Sequence, residues 1–487
     1  MGEARSRGTA DERRKLAIKR NKAEFIEHLG GRDANVDAQL SAGLAPFLAR
    51  LGADAWAARR AAIIEALQDV EVGGELEIAR PIRVMKDEIG WYLFLVEQTL
   101  DDPLCTEVAQ AQRILPYFAG IGSRWAQAHK VQGLDEKLDE ILYRYKADPD
   151  GGIFEVSVAV AYASKGWDVE FIPTKRGDGV KTPDMVVRKD GLEIHVECKR
   201  QARRGDYAEK ERNHFLRLWD AAEPILRANR QWIWMRAVFH HEVETLPTSF
   251  LADVIKKALP LRSRETVVYD GAELTLRARQ IDTRAVSTHF YEYWVKAGSP
   301  MHTRVIGGDW AEKNAAVTMS QIVQASEVVD AEIPALGMYI DNVGWACGIT
   351  REVDADVAID KKARDIRNLL DKAVDQLPAN GWSIVHIAAE TLEGSQVELR
   401  RSEKVMALMA DFTSDRSLLA VRFHRFQSNN AVDQLYEFDE TVDTYKIGDV
   451  PLEEIPLGVV VPEESELRRG SHWELYPGHS KAKSQSA

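Results

Sequence analysis

The chain has 487 residues, of which 45% are hydrophobic and 29% are charged. This composition is typical of a globular protein of two to four domains. No run of eighteen apolar residues is present, so the sequence predicts no membrane-spanning helix, and residues 1–22 lack the apolar core of a secretory signal. The formal net charge of −13 argues against a protein that coats nucleic acid by bulk electrostatics, but a local basic groove remains compatible with it.

The cysteines are few and widely spaced. Cys105, Cys198 and Cys347 form no Cys-x-x-Cys pair, so we expect neither a disulfide framework nor a zinc knuckle. This pattern favours a reducing, cytoplasmic location.

The first predicted segment is basic. Residues 1–22 carry eight Lys or Arg against three acids and indicate a flexible arm or a solvated helix, with a phosphate-contacting arm as the alternative. From 23 to 147 the apolar residues recur at three-to-four spacing, which predicts an all-α N-terminal domain. A turn cluster at 148–152 marks its boundary.

The next block, 148–245, has a mixed pattern. A helix is predicted at 153–164, before a Gly at 166. Alternating apolar residues then predict three strands, followed by a long charged helix and a fourth strand. The expected ranges are 167–172, 184–188 and 192–199 for the three strands, 207–230 for the helix and 231–238 for the last strand.

Residues 246–475 are predicted to form a C-terminal α/β region. Its expected strands are 273–279, 335–340, 345–349, 382–388 and 418–423, and an amphipathic helix is expected at 361–377. The last residues, 476–487, are small and polar, which indicates a disordered tail.

Acidic and basic side chains meet at one predicted hairpin. Asp184 opens one strand, and Glu197 and Lys199 close the next. Residues i and i+2 of a strand face the same side, so Glu197 and Lys199 should project together while the Cys198 thiol turns to the core. Carboxylates are the hard oxygen ligands that Mg²⁺ prefers, and the Cys198 carbonyl could add another. A nearby ammonium could orient the attacking water. The hairpin therefore predicts a magnesium site for phosphodiester hydrolysis.

This block resembles the PD-(D/E)xK nuclease superfamily, over roughly residues 150–240. The motif falls on Pro183 and Asp184 and then on Glu197, Cys198 and Lys199, while the superfamily's helix-borne glutamate falls on Glu155. The resemblance implies an α/β, restriction-endonuclease-like αβββαβ core. It also implies that Asp184, Glu197 and Glu155 gather one or two divalent ions at the scissile phosphate. Asp150 is the competing acid for the position of Glu155.

Basic residues surround the predicted site. A phosphate-contacting role is the functional interpretation for this group, and solvated loops are the alternative. The group consists of Lys175, Arg176, Lys181, Arg200, Arg203 and Arg204. His195 lies two residues before Glu197, so it is either a proton carrier or a structural histidine.

Two helix–strand pairs could complete the core. The local pair at 207–240 is favoured, which places the whole core within 148–245. The alternative is the pair at 358–390, which carries Gln376, and residues 205–350 would then be a long insertion.

The sequence thus predicts a Mg²⁺-dependent nuclease, with Mn²⁺ as a substitute ion and DNA favoured over RNA as the partner. Bacterial restriction or antiviral defence is the expected setting, by analogy with the superfamily. A protein partner could supply specificity, and homo-oligomer formation stays open. The alternatives are an RNA-directed nuclease and a non-catalytic binding module on a degenerate nuclease fold.

Overall fold

A computed structural model describes residues 33–68, 86–173, 182–260, 265–308, 316–327, 331–429, 436–448 and 454–461. The predicted arm at 1–22 and the predicted tail at 476–487 lie outside these residues. The described chain is mixed α/β, with helices and two mixed sheets. Within it, no helix combines the length and the apolar character needed to cross a membrane.

Helices dominate the N-terminal part, as predicted. They are α1 (Ala34–Leu51), α2 (Ala53–Gln68), α3 (Glu88–Asp101), α4 (Val108–Ser123), α5 (Leu134–Asp139) and α6 (Asp150–Ser164). A π-helical turn, Glu140–Arg144, follows α5. The prediction of an all-α region was wrong in one detail, because a short strand, β1 (Val131–Gln132), precedes α5 and pairs with the first sheet.

Acidic side chains begin several of these helices. Asp33 accepts a hydrogen bond from the backbone N–H of Asn35, and Glu107 accepts one from Gln110. Such caps satisfy backbone donors that a helix leaves unpaired at its first turn, and negative charge there also favours the helix dipole.

The three predicted strands after α6 are confirmed to within one residue. They are β2 (Asp168–Phe171), β3 (Met185–Lys189) and β4 (Leu192–Arg200). Asp190 and Gly191 join β3 to β4, with φ angles of 50° and 81°. A two-residue hairpin turn with both residues at positive φ matches the strand twist, and Asp-Gly is a favoured sequence for it. The turn therefore fixes the register that brings Asp184 opposite the end of β4.

The rest of the chain continues the alternation of helices and strands. Its helices are α7 (Asp206–Ala228), α8 (Phe250–Ala258), α9 (Thr283–Glu292), α10 (Pro300–Gly307), α11 (Asp356–Lys362), α12 (Arg367–Val374) and α13 (Ser395–Ala410). Its strands are β5 (Ile233–Phe239), β6 (Thr266–Asp270), β7 (Leu274–Gln280), β8 (Val295–Lys296), β9 (Ala316–Glu327), β10 (Met338–Val353), β11 (Trp382–Glu390), β12 (Leu418–Asn429) and β13 (Glu437–Lys446).

The first sheet has the order β1-β2-β3-β4-β11-β12-β13. Strands β2, β3 and β4 pair antiparallel, whereas β4, β11 and β12 run parallel. Strand β11 lies beside β4 over the whole motif, with Val385 opposite Glu197 and Ile387 opposite Lys199. Residues 201–381 therefore separate two neighbouring strands of one sheet.

The favoured local completion of the core at 207–240 was wrong. Strand β5 belongs to the second sheet, of order β6-β7-β5-β10, where β8 and β9 also pair with β10. Both edges of β5 are occupied, by β7 and by β10. Helix α7 packs on this second sheet through Phe215, Leu218 and Trp219. The alternative, in which a helix and strand from 358–390 adjoin β4, is the arrangement observed.

Two further predictions in this region need correction. The helix expected at 361–377 is split into α11 and α12, because Asp365 accepts a hydrogen bond from the Arg367 N–H and starts a new helix. The strands expected at 335–340 and 345–349 form one long strand, β10, which absorbs register shifts at 340–342 and 343–345.

One apolar core joins the N-terminal helices to the first sheet. It extends from Leu40 in α1 through α6 to Phe426 in β12. Helix α6 is apolar on nearly all sides, and Phe154, Val158 and Tyr162 are fully buried, as expected for a helix at the centre of a core. The helical region is thus packed against the motif-bearing sheet rather than apart from it.

A buried polar chain crosses the first sheet. The Tyr162 hydroxyl lies 3.1 Å from His386 Nε2, and His386 Nδ1 lies 2.9 Å from His424 Nε2. His424 Nδ1 lies 3.0 Å from Glu440, whose carboxylate also accepts N–H bonds from Val459, Val460 and Val461. Because buried polar groups are costly without partners, this chain ties β11, β12 and β13 to the segment at 459–461.

We expect Glu440→Gln to lower the free energy of unfolding by about 2 kcal/mol, since it removes the charge that these buried donors share. Glu437→Gln, an exposed position at the start of the same strand, is the control and should change it by less than about 0.5 kcal/mol. Urea unfolding measures both. Equal effects of the two variants would contradict this role of Glu440.

Candidate active site

Asp184 and Glu197 are joined by reciprocal hydrogen bonds. Asp184 Oδ2 accepts the backbone N–H of Cys198 at 2.7 Å, and Glu197 Oε2 accepts the backbone N–H of Asp184 at 3.1 Å. Each carboxylate is therefore held by the strand that carries the other. This places Asp184 and Glu197, two of the predicted metal ligands, at one end of the β3–β4 hairpin.

Lys199 completes this group. Its ammonium donates to Glu197 Oε1 and to Gln376 Oε1, the latter at 2.5 Å. Gln376, just beyond α12, also donates to the carbonyl of Thr182 at 3.5 Å. The segment after α12 therefore links the lysine to the residues that precede β3.

The predicted alternation along β4 is observed. Cys198 is buried in the same apolar cluster as Ile194 and Val196, while Glu197 and Lys199 contact each other on the other face. The thiol of Cys198 belongs to the core, as expected.

Glu155 reaches the same region from α6, where it binds a lysine that the sequence did not identify. Glu155 Oε2 lies 2.6 Å from the ammonium of Lys137, on α5, which also lies 2.9 Å from Glu140. Gly152 allows α6 to lie close to the preceding π-helical turn, because a Cβ there would be 2.5 Å from Ile141. The approach of these two helices thus brings Lys137 to Glu155.

These groups line one cleft of about 570 Å³ between the helical region and the first sheet. Glu155, Asp184, Cys198 and Lys199 line it, whereas Glu197, which was expected to face the site together with Lys199, is fully buried behind them. Six acidic and four basic side chains line the cleft: Glu88, Glu140, Asp148, Asp150, Glu155 and Asp184, against Lys137, Lys199, Arg200 and Arg203. The acidic excess opposes entry of a phosphate unless a cation accompanies it.

The three carboxylates predicted to bind the metal all have raised pKa values. Burial raises the pKa of each carboxyl, Glu155, Asp184 and Glu197, to about 7. Repulsion between the carboxylates contributes as well, because Asp184 raises the pKa of Glu155 and Glu197 raises the pKa of Asp184. Burial opposes the charge of Lys199, but Glu197 and Asp184 outweigh it and raise the pKa of that ammonium, which stays protonated.

The donor chemistry of the site fits Mg²⁺. Oδ1 of Asp184 and Oε1 of Glu155 accept no hydrogen bond from the residues that the structure describes, although the other oxygen of each carboxylate does. Among those residues, no group of three or more His, Cys, Asp and Glu side chains is arranged to hold a metal ion. Mg²⁺ commonly uses only one or two protein carboxylates and keeps several waters, so Asp184 and Glu155 suffice in type and number.

Asp150, the competing acid, has a different environment. It lies 3.2 Å from Arg203 and 3.5 Å from Arg113, and accepts a hydrogen bond from Tyr92. Against the cost of burial, these arginines and Arg200 lower the pKa of Asp150 below its usual range. The charge of Asp150 is already compensated by arginines. Glu155 is therefore the acid on α6 whose buried negative charge a cation would stabilise.

Two of the predicted phosphate contacts are engaged inside the protein. Arg200 is almost fully buried and binds Glu390 and the Tyr117 hydroxyl, so its guanidinium already has partners inside the protein. Arg203 is half-buried and binds Glu88 and Asp150. Both guanidinium groups are thus paired with acidic side chains of the protein itself.

Of the remaining predicted phosphate contacts, the structure describes only Arg204. Arg204 lies near the surface, 3.3 Å from Glu393. Lys175, Arg176 and Lys181 lie outside the described residues. His195 does not line the cleft, and burial lowers the pKa of its imidazole, which favours a structural role.

Comparison with known proteins adds no relative to this picture. No family model, curated protein or solved structure matches the chain. The resemblance to PD-(D/E)xK nucleases therefore depends on the motif residues themselves.

We expect Asp184→Asn to stabilise the metal-free protein more at pH 8 than at pH 5, by about 2 kcal/mol. The pKa of Asp184 is about 7 when folded, above its usual value near 3.9, so the folded protein binds the extra proton between these pH values and loses stability as pH rises through 7. Asparagine cannot ionise and avoids this loss.

Urea unfolding in EDTA at the two pH values measures the difference. Asp190→Asn, in the exposed turn of the same hairpin, is the matched control, with changes below about 0.5 kcal/mol at both pH values. A pH-independent effect of Asp184→Asn would contradict the strained carboxylate cluster.

Proposed function

We propose that the protein is a Mg²⁺-dependent nuclease that hydrolyses phosphodiester bonds in DNA. The supporting observation is the convergence of Asp184, Glu155 and Lys199 on one cleft, with Glu197 linking Asp184 to Lys199 behind it. The chain order α6, β2, β3, β4, α12 and β11 also follows the αβββαβ order that the resemblance implies.

The side chains have distinct tasks in this proposal. A divalent ion bound here would supply an activated water and offset the charge that develops on the phosphate. Asp184 and Glu155 offer oxygens towards it, and Glu197 fixes both Asp184 and Lys199. Lys199 remains an ammonium, so it donates hydrogen bonds to the nucleophile or to a phosphate oxygen rather than removing a proton.

The setting of this activity is proposed by analogy alone. Restriction or antiviral defence in a bacterial cytoplasm would suit a nuclease with large accessory regions. A protein partner could direct it, since the second sheet contributes no side chain to the cleft lining.

One observation favours a second candidate, a non-catalytic binding module. Lysines hold two of the three carboxylates, Lys137 on Glu155 and Lys199 on Glu197, so ammonium groups could replace the metal permanently. A module of this kind would bind nucleic acid or protein without cutting it. An RNA-directed nuclease would use the same site and differ only in substrate.

Purified protein should cut DNA, supplied both as supercoiled plasmid and as a single-stranded circle, in Mg²⁺ or Mn²⁺ and not in EDTA. We expect Asp184→Asn and Lys199→Met each to reduce the rate by at least about a hundredfold, because both lose charge stabilisation in the transition state. Agarose gels over time measure the rate, with an RNA of the same sequence in parallel.

The matched controls are Asp190→Asn, in the hairpin turn, and Lys210→Met, exposed on α7, which should both keep the wild-type rate. Cleavage of RNA alone would support the RNA-directed nuclease. A stable protein that cuts neither substrate would favour the binding module, and undiminished cutting by Asp184→Asn would refute the proposed site.

A further inference from the structure

The rim of the cleft is formed by the π-helical turn Glu140–Arg144 and the next residue, Tyr145, which together we call the rim segment. Glu140, Ile141 and Tyr145 line the cleft. Single π-helical turns are rare and are often found at functional sites, because they displace side chains from the regular helical face. The rim segment belongs to the helical region, whose role the sequence leaves open.

A continuous series of contacts links the rim segment to the carboxylate cluster. Glu155 binds Lys137, Lys137 binds Glu140, and Glu140 lies 2.9 Å from Arg144. The guanidinium of Arg144 lies over the ring of Tyr145, 5.0 Å from its centre. A ligand bound at Asp184 therefore has an exposed aromatic ring at the other end of this series.

Tyr145 has the exposure that a stacking residue needs. It is 39% exposed, and its neighbour Arg144 has half of its side chain exposed. Proteins that bind single strands combine aromatic rings, on which bases stack, with arginine and lysine cations along the backbone. Arg144 supplies such a cation directly beside Tyr145, and Lys137 lines the same cleft, in a chain whose formal net charge is −13.

We propose that Arg144 and Tyr145, at the C-terminal end of the rim segment, form a binding subsite for an unpaired nucleobase, and that the cleft accepts a single DNA strand. This inference rests on the proposed function for the position of the scissile phosphate, at Asp184 and Lys199. The base of a nearby nucleotide stacks on Tyr145, and Arg144 contacts its phosphate.

The enclosure of the cleft is the reason for an unpaired strand. Asp184 and Lys199 are recessed between the helical region and the sheet, and Glu155 and Lys137 are both largely buried. In an intact duplex both faces of a base are covered by its neighbours, so Tyr145 reaches a base only after the strand is opened or the nucleotide is extruded. Intact duplex DNA is therefore a poor ligand.

Binding of fluorescent oligonucleotides tests the proposal without any cleavage. Fluorescence anisotropy is measured with one DNA sequence as a single strand and as a blunt duplex, in Ca²⁺, and gels verify that the DNA stays intact. The wild-type protein should bind the single strand at least about tenfold more tightly. Tyr145→Ala should weaken single-strand binding by about tenfold, the loss typical of one stacked base, and leave duplex binding unchanged.

Tyr143→Ala is the matched control. Tyr143 is also exposed, at 54%, and also has an arginine over its ring, Arg59, but it does not line the cleft. It should bind both DNAs as the wild type does. Tyr145→Trp should retain single-strand binding, since it keeps an aromatic face, and circular dichroism establishes that the variants are folded.

Equal wild-type affinity for the two DNAs, or equal losses in Tyr145→Ala and Tyr143→Ala, would overturn the proposal. Its failure is distinguishable from failure of the proposed function. If the wild-type protein prefers the single strand, Tyr145→Ala loses that preference, and the wild type shows no Mg²⁺-dependent cutting, the subsite is supported and the nuclease activity is refuted. Cutting without strand preference would support the nuclease and refute the subsite.

Discussion

The candidate site depends on the reciprocal hydrogen bonds between the Asp184 and Glu197 carboxylates and the backbone of the opposite strand. Each bond joins β3 to β4, so neither acid can move without disturbing the other's strand. The register comes from the Asp190–Gly191 turn, whose positive φ angles suit a two-residue hairpin. Lys199 then binds the other oxygen of Glu197 and is itself held by Gln376, and β11 pairs with β4 along the motif. The positions of Asp184, Glu197 and Lys199 thus follow from one hairpin, which is held by its own turn and by the neighbouring strand β11.

Electrostatics distinguishes two acidic centres that lie in the same cleft. Asp150 forms ion pairs with Arg113 and Arg203, and because these arginines compensate its charge it stays ionised at low pH. Asp184 and Glu155 are buried together with too little positive charge, and the pKa of each is raised to about 7. Perturbed carboxyl groups in a cleft are typical of functional sites, because the strain is relieved by a ligand rather than by the fold. The cluster at Asp184 is therefore the one whose negative charge a bound cation would offset.

Much of the site was predictable because its signals are local. Period-two alternation placed Glu197 and Lys199 on one face, Asp-Gly located the turn, and the apolar run of α6 located Glu155. The neighbour of β4 was predicted wrongly because strand pairing here is long-range. Strands β5 and β11 are both short and buried, and no local signal indicates that β4 pairs with β11, which begins 182 residues after β4 ends. Lys137 and Tyr145 had no motif to identify them. Arg200 looked like an accessible cation because its partner, Glu390, lies on β11.

The central claim, that Asp184 and Glu155 with Glu197 form a divalent-cation site, is tested most directly by anomalous diffraction from crystals grown with Mn²⁺. We expect an anomalous peak within coordination distance of Asp184, about 2.0–2.3 Å from a carboxylate oxygen, with Glu155 as a second ligand and Lys137 displaced from it. Fully occupied Mn²⁺ at the Asp150 and Glu88 network, with none at Asp184, would contradict it. So would a site at Asp184 that stays without metal at millimolar Mn²⁺ while the two lysines keep their carboxylates.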